Sequence, residues 1–395
     1  MAEDWTTALH RYAQRLHTAA GDRHHIASPL GAWLLLALTA SSGPAGELAD
    51  PLGVEPAEAA RIAGELLARP HPLVAAATAV WHAGSAGLGD WPAALPEATE
   101  VGPLPDKESL DRWAREHTYG MIEEFPGEPA ADLLLLLASA LATKVSWIDP
   151  FEVAPAGRLG GAWADRLGTV LWSPEYGHAA FVAGTAAAGD VIVHVASADG
   201  LHVVSVAAAA DVAPDRVLAA AHEIAPAVVT ETGTPPAAKS LFDLPLGETP
   251  LWTISEERGH ESRREFVRAL LPAWSATTEH DLAADPALGF PAATRVLARL
   301  LRRPEPRFEA KQTATARFSR FGFEAAAVSG YFFPTSLPPE QVIRRAELRF
   351  AHPYAVVAVT AQPGGPWHGV PVFSAWVRDP EDVAAADLTD GDHDG

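Results

Sequence analysis

The chain has 395 residues, 48% of them hydrophobic, a formal net charge of -21 and no cysteine. Such a length can bury a large core. The negative charge argues against nucleic acid and anionic membrane as partners. Without cysteine there are no disulfides, thiol nucleophiles or thiolate metal sites. Alanine, glycine and proline are abundant and lysine is scarce, a bacterial, GC-rich coding pattern that says nothing about function. The start, Met1-Ala2-Glu3-Asp4-Trp5, lacks a basic-then-apolar leader, and the apolar runs 32–40 and 133–138 are too short for a bilayer span, so a cytoplasmic location is expected.

In chain order, residues 5–19 place Trp5, Leu9, Tyr12, Ala13 and Leu16 at helical spacing. Residues 30–39 are apolar nearly all round after Pro29, which suits a first helical turn, so this helix is expected to be buried. Residues 57–68 read as helix, 73–82 as an extended apolar segment, and 107–124 as an exposed amphipathic helix. The strongest core segment, 132–147, fits either a helix or a long buried strand. Residues 190–195 and 201–206 are apolar runs joined by Ser197-Ala198-Asp199-Gly200, a hairpin by its turn chemistry. Helical patterns follow at 215–224, 263–271 and 292–301, then strands at 311–321, 348–361 and 370–377. Helices first and strands later predict one α+β domain over 1–382, with an acidic, disordered tail over 383–395.

The usual catalytic signatures are missing. Gly233-Thr234-Pro235-Pro236-Ala237-Ala238-Lys239-Ser240 lacks the glycine before lysine that a phosphate loop needs, and its prolines remove amide donors. Asp390-Gly391-Asp392-His393-Asp394-Gly395 stops short of the bidentate glutamate of a calcium loop. His24-His25, His222-Glu223 and His260-Glu261 complete no metal motif, and there is no Gly-x-Ser-x-Gly elbow. Sixteen histidines leave room for a site assembled only in three dimensions.

The most informative stretch is Arg320-Phe321-Gly322-Phe323-Glu324-Ala325-Ala326-Ala327-Val328-Ser329-Gly330, which follows a strand pattern and leads into Tyr331-Phe332-Phe333-Pro334-Thr335-Ser336-Leu337-Pro338-Pro339-Glu340. Glu-Ala-Ala-Ala alone fits a helix start. In this setting it resembles the hinge and reactive-centre loop of the serpins. Four further pieces resemble serpin motifs in the right order. Ile26-Ala27-Ser28-Pro29-Leu30 is similar to the Phe-Ser-Pro start of a buried helix. Leu110 to Ile122, with Trp113, Thr118 and Gly120, is similar to the Asn-x-Trp-Val-x-x-x-Thr-x-Gly-x-Ile helix. Leu136 to Phe151, with Lys144, Trp147, Pro150 and Phe151, resembles the central strand. Phe350-Ala351-His352-Pro353-Tyr354 resembles the Phe-x-x-Pro-Phe before the last strands.

The resemblance implies a serpin-like fold, with a large central sheet, two smaller sheets and about eight or nine helices. It implies a monomeric suicide-substrate inhibitor of a serine (or cysteine) protease, with no catalytic residues and no cofactor or metal, and a mobile loop at about 323–345. Family spacing from Gly322 places the reactive bond at Ser336-Leu337, with Thr335 beside it; small residues there imply an elastase- or subtilisin-like partner. Arg344-Arg345 offers a trypsin-like alternative. The hinge comprises Arg320, Gly322, Phe323, Glu324, Ala325, Ala326 and Ala327. The family's sheet-opening latch maps to Ser28, Ser139 and Gln312, with Gly31 in place of its second helix serine.

Three departures, the altered latch among them, keep another reading open: a non-inhibitory serpin-fold scaffold that binds a partner, or a fold recruited to another role, an enzymatic one included. Arg320 reverses the charge of the family's acidic residue, and Phe323 stands where inhibitors carry a small residue. Overpacking typically costs about 1–3 kcal/mol. Roughly 1.4 kcal/mol on an insertion barrier slows it about tenfold, enough to turn an inhibitor into a substrate.

Overall fold

The structure is a computed structural model that describes residues 5–84, 87–130, 132–143, 145–229, 237–303, 310–322 and 339–388. It begins with helix α1 (Trp5–Ala20), strand β1 (His25–Ala27) and helices α2 (Pro29–Ala40), α3 (Ala49–Leu52) and α4 (Pro56–Ala68). Next come β2 (Val74–His82), α5 (Trp91–Ala94), β3 (Thr99–Pro103), α6 (Lys107–His117) and β4 (Leu135–Thr143). The middle comprises β5 (Glu152–Pro155), α7 (Gly161–Ala164), β6 (Thr169–Trp172), β7 (Ala179–Thr185), β8 (Gly189–Ala198), β9 (Leu201–Ala207) and α8 (Pro214–Val228). There follow β10 (Ala238–Lys239), β11 (Gly247–Glu248), β12 (Trp252–Gly259), β13 (Glu265–Leu271), β14 (Trp274–Asp281), α9 (Phe290–Leu301) and β15 (Lys311–Phe318). Strands β16 (Gln341–Arg349), β17 (Tyr354–Thr360) and β18 (Pro371–Val377) close the order. Nine α-helices among the described residues, and strands concentrated in the later two thirds, give the expected α+β class.

Helix α2 is the centre of the core. All twelve of its residues are buried, as its all-round apolar sequence requires. Helix α1 turns Leu9, Tyr12 and Leu16 inward, as its periodicity predicts. Helix α6 is shorter than its pattern. After Thr118 the backbone turns left-handed at Tyr119 (φ 53) and Gly120 (φ 77), which ends the helix well before Glu124.

Seven strands form an antiparallel sheet in the order β1-β18-β17-β9-β8-β7-β10. A six-stranded sheet runs β11-β12-β16-β13-β6-β5, with β13 and β16 parallel. The ambiguous segment 132–147 supplies a strand, β4, paired with β2. The chain stays packed beyond residue 382, since Val383 is buried and the Asp387 carbonyl accepts from Arg320.

Two readings need correction. Residues 263–271 read as helix but form strand β13. Arginine, alanine and leucine favour helix in isolation. Here Phe266, Ala269, Leu270 and Leu271 are buried and the segment pairs with β16 on one side and β6 on the other, so tertiary pairing overrides local preference. The loop expected to run to about 345 ends earlier, because β16 begins at Gln341 and lies between β12 and β13. Its charges hid it. Arg344 pairs with Glu256 (3.0 Å), and Arg345 with Glu257 (2.5 Å) and Glu261 (2.8 Å), so these arginines face β12 carboxylates and the turn beyond. The bonds after Arg344 and Arg345 are therefore expected to survive native limited digestion by trypsin. Mass mapping that found the first cuts there would refute the central position of β16.

Candidate functional site

Five further strands form two separate ladders: β3-β2-β4, and the pair β14-β15. Among the described residues no ladder joins β4 to β15. Their continuations meet at one antiparallel bridge, Ser146 with Gly322. Beyond that point Trp147 donates its backbone N–H to the Phe321 carbonyl (3.1 Å) and its indole N–H to the Ser319 carbonyl (2.9 Å). Against the bridge, with Gly322 in its lining, lies a cleft with a cavity of about 420 Å³. Thr143, Val145 and Trp147 line one wall, Trp274, Thr315 and Phe318 the other, and Val203, Val356 and Phe373 of the seven-stranded sheet the floor.

Gly322 makes the closed end possible. Its φ is +82, and a Cβ would fall 2.3 Å from the Val145 carbonyl oxygen, so no other residue fits without parting the two strands. Rings pack around this point: Phe318 lies 5.3 Å from Trp147, 5.5 Å from Phe151 and 6.1 Å from a stacked Trp274, between ring centres. Arg320, at the charge-reversed hinge position, donates to the carbonyls of Phe151 (3.0 Å) and Asp387 (2.9 Å). Phe151 returns a backbone bond to the Arg320 carbonyl (3.0 Å).

Under the same end lies a histidine pair that the sequence did not single out. His178 donates from Nε2 to the Asp149 carbonyl (2.8 Å), which leaves its Nδ1 to accept from His194 Nε2 (3.0 Å). Burial pushes His178 down to about 4 and His194 well below the ordinary range. The only available signal was a lone histidine in the apolar run of β8.

The far end of the cleft is polar. Ser28, Ser139 and Gln312, far apart in sequence, converge at the start of α2. The Gln312 amide accepts from the Ser28 N–H (2.9 Å) and donates to the Ser28 carbonyl (2.8 Å), tying β15 to the helix start. Ser28 caps α2 by accepting from the Gly31 N–H (3.2 Å) and donates its hydroxyl to the Val372 carbonyl (2.9 Å). Ser139 of β4 donates to the Gly31 carbonyl (2.9 Å). The missing second serine now has a physical account. A Cβ at Gly31 would sit 3.2 Å from both serine hydroxyls and 3.1 Å from Leu141, so glycine lets β4 approach the helix. Gln312 and Ser139 thus hold opposite walls of the cleft to the same helix start.

Phe323, Glu324, Ala325, Ala326 and Ala327 of the hinge, and Thr335, Ser336 and Leu337 around the expected reactive bond, lie outside the described residues. Among the described residues no group of three or more histidines and carboxylates is placed to hold a metal ion, and no helix is long and apolar enough to cross a membrane.

Replacing Gln312 by alanine removes the acceptor of the Ser28 N–H and one of two donors to the Ser28 carbonyl, which keeps the Ala32 N–H (3.3 Å). Each buried group left unpaired costs about 1–3 kcal/mol. Gln312→Ala is therefore expected to lower unfolding stability by roughly 1–3 kcal/mol, and Ser139→Ala by about 1 kcal/mol. Denaturant titration measures both, and an equal, negligible loss would show that the cluster does not bind the walls to α2.

No family model matches the sequence, and no curated protein matches it. Solved structures do. A thermophilic serpin, tengpin, in its native state superposes with a TM-score of 0.64 at 12% identity, covering 96% of this chain and 95% of that one. Thyroxine-binding globulin in complex with thyroxine gives 0.61 at 13% identity over 95% of this chain and 99% of that one. A serpin from the trematode Schistosoma haematobium gives 0.59 at 13% identity, with 95% and 99% covered. Identities this low speak to architecture only, and over nearly the whole length of every partner the architecture agrees. The chain has the serpin fold.

Proposed function

We propose that the protein is a suicide-substrate inhibitor of a serine (or cysteine) protease. The observation that carries this reading is the cleft. Among the described residues, β4 pairs only with β2 and β15 only with β14, and the two facing edges share a single bridge above an apolar floor. A strand edge without a ladder partner is a template for strand addition. The chain carries its own candidate strand. Gly322 stands where β15 has ended, and in an inserted strand Ala325, Ala327 and Ser329 of the sequence after it would share one side, small enough for close packing.

In this reading the protease nucleophile attacks the Ser336 carbonyl carbon. The acyl-enzyme forms as the Leu337 amine leaves, and the segment from Phe323 enters between β4 and β15 before water can release the enzyme. The loop of this reading must end before Gln341, where β16 takes the chain. Thr335 and Ser336 favour an elastase- or subtilisin-like partner. The trypsin-like alternative at Arg344-Arg345 is dropped, because those residues lie in a paired strand.

A second reading, a non-inhibitory scaffold, rests on Arg320. Its guanidinium and carbonyl fasten the closed end to Phe151 and Asp387, which opposes any parting there. Phe323 adds bulk at the first inserted position. Thyroxine-binding globulin is a neighbour of the same fold whose structure holds a small ligand, so carriage without trapping is compatible with the architecture.

Mixing the protein with elastase and with subtilisin is expected to give a covalent complex stable in SDS. A single cut in the loop is expected to raise the melting temperature, because insertion adds a strand of backbone hydrogen bonds and apolar burial. Phe323→Thr is expected to increase the fraction trapped. If neither the cleaved parent nor the cleaved variant gains thermal stability, the cleft does not accept the loop and the scaffold reading takes its place.

A further inference from the structure

Beneath the polar end of the cleft, five histidines from four elements form one buried seam. His10 and His17 lie on one face of α1, His25 on β1, His222 on α8 and His280 on β14, with exposures of 5%, 2%, 0%, 2% and 6%. His10 and His222 meet at 2.8 Å, and His17 and His25 at 2.7 Å. The ring centres of His17 and His222 are 6.0 Å apart, and those of His25 and His280 6.1 Å. His280 donates to the Ile26 carbonyl (2.7 Å) and stands opposite Gln312 in the β14–β15 ladder. Through β1 and Gln312 the seam therefore runs into the Ser28 attachment.

The hydrogen bonds fix the protons. His25 Nδ1 lies 2.8 Å from the Arg23 carbonyl and must donate to it, so neutral His25 presents a bare Nε2. His17 donates to that nitrogen from Nδ1, which leaves its own Nε2 to accept from the Ser374 hydroxyl at 2.6 Å. The run from Ser374 through His17 and His25 to Arg23 is thus fully satisfied with both rings neutral. A proton added to His25 would force His17 to switch tautomer and the Ser374 hydroxyl to turn from donor to acceptor, with a net charge left in a buried site. The titratable and charged groups that act on His17, His25, His222 and His280 are one another, His10, His24 and Arg23; among the described residues none is a carboxylate. Ser374 on β18 and Gln312 on β15 are neutral.

We propose that this seam is a built-in proton sensor, which loosens the packing of α1, β1 and α8 and with it the Ser28–Gln312 attachment as the surroundings acidify. Burial, the largest cause at each site, holds His25 down to about 4, His17 and His222 well below the ordinary histidine value, and His280 below it. A folded-state value below that of the open chain means the open state takes up more protons. The seam's contribution to stability is therefore fully present above about pH 6.5 and is lost progressively as pH falls toward about 4. At pH 5.5 His25 alone shifts the balance toward the open state about tenfold. The sensor needs no protease and no loop cleavage, so it stands or falls independently of the inhibitor reading.

The test is hydrogen exchange of the intact protein at pH 7.5 and 5.5, corrected for intrinsic rates, read at β1, β15 around Gln312 and β4 around Ser139. The parent is expected to lose protection about tenfold or more on acidification. His17→Gln keeps a donor toward His25 and an acceptor toward Ser374 without titrating, and is expected to lose distinctly less. Equal protection of the parent at both pH values overturns the proposal, as does the same loss in parent and variant. Should His17→Gln fail to fold, imidazole NMR titration of the parent decides. Histidines that stay neutral until the fold opens support the sensor, and seam histidines that titrate near 6.5 within an intact fold overturn it.

Discussion

A helix buried on every side has nowhere to hide its ends, and the cleft follows from how this one begins. The first backbone donors of any helix lack partners within it. At the start of α2 water is excluded, so the partners must come from protein. Pro29 brings no donor, the Ser28 hydroxyl takes the Gly31 N–H, and the Ser28 peptide is matched on both sides by the Gln312 amide. Because Gln312 belongs to β15 and Ser139 reaches the same turn from β4, satisfying one helix terminus also sets the positions of two strands that do not ladder with each other among the described residues.

The cleft therefore has two unlike ends. One is dry and aromatic, closed by Trp147, Phe151 and Phe318 and by backbone bonds that geometry alone can break. The other is polar, and its members can exchange partners. A structure that must part its strands under provocation and hold them otherwise benefits from this division. Ring packing at the aromatic end answers to protonation only through the His178–His194 pair beneath it, while hydrogen bonds among serine, glutamine and histidine at the other end respond to ligand, strain and protonation.

Much of this was legible in the residues. The all-round apolar run after Pro29, the hairpin turn at Asp199-Gly200 and the ordered motifs around Trp113, Trp147 and Phe350 led to the right class and to the three residues at the start of α2. What failed to show was whatever depends on partners distant in sequence. The stretch 263–271 carries helix-forming residues, and only its position between β16 and β6 makes it a strand. The arginines at 344 and 345 looked exposed until the β12 carboxylates stood opposite them. The histidine seam was invisible for the same reason, since its members come from 10, 17, 25, 222 and 280 and no local spacing joins them.

Gly322 gives the two half-sheets the mechanics of a fork. The tines, β4 and β15, are free of each other along their length among the described residues, and the crotch is a single bridge at which no side chain can be accommodated. Force that spreads the tines concentrates at the crotch, where it meets ring packing and peptide bonds in shear. The same force applied at the crotch meets the bridge together with the Trp147–Phe321, Trp147–Ser319 and Phe151–Arg320 bonds before the lever arm lengthens. Load direction, more than total bonding, then governs how readily the two halves separate, and a glycine that contributes no side-chain contact determines where that load must enter.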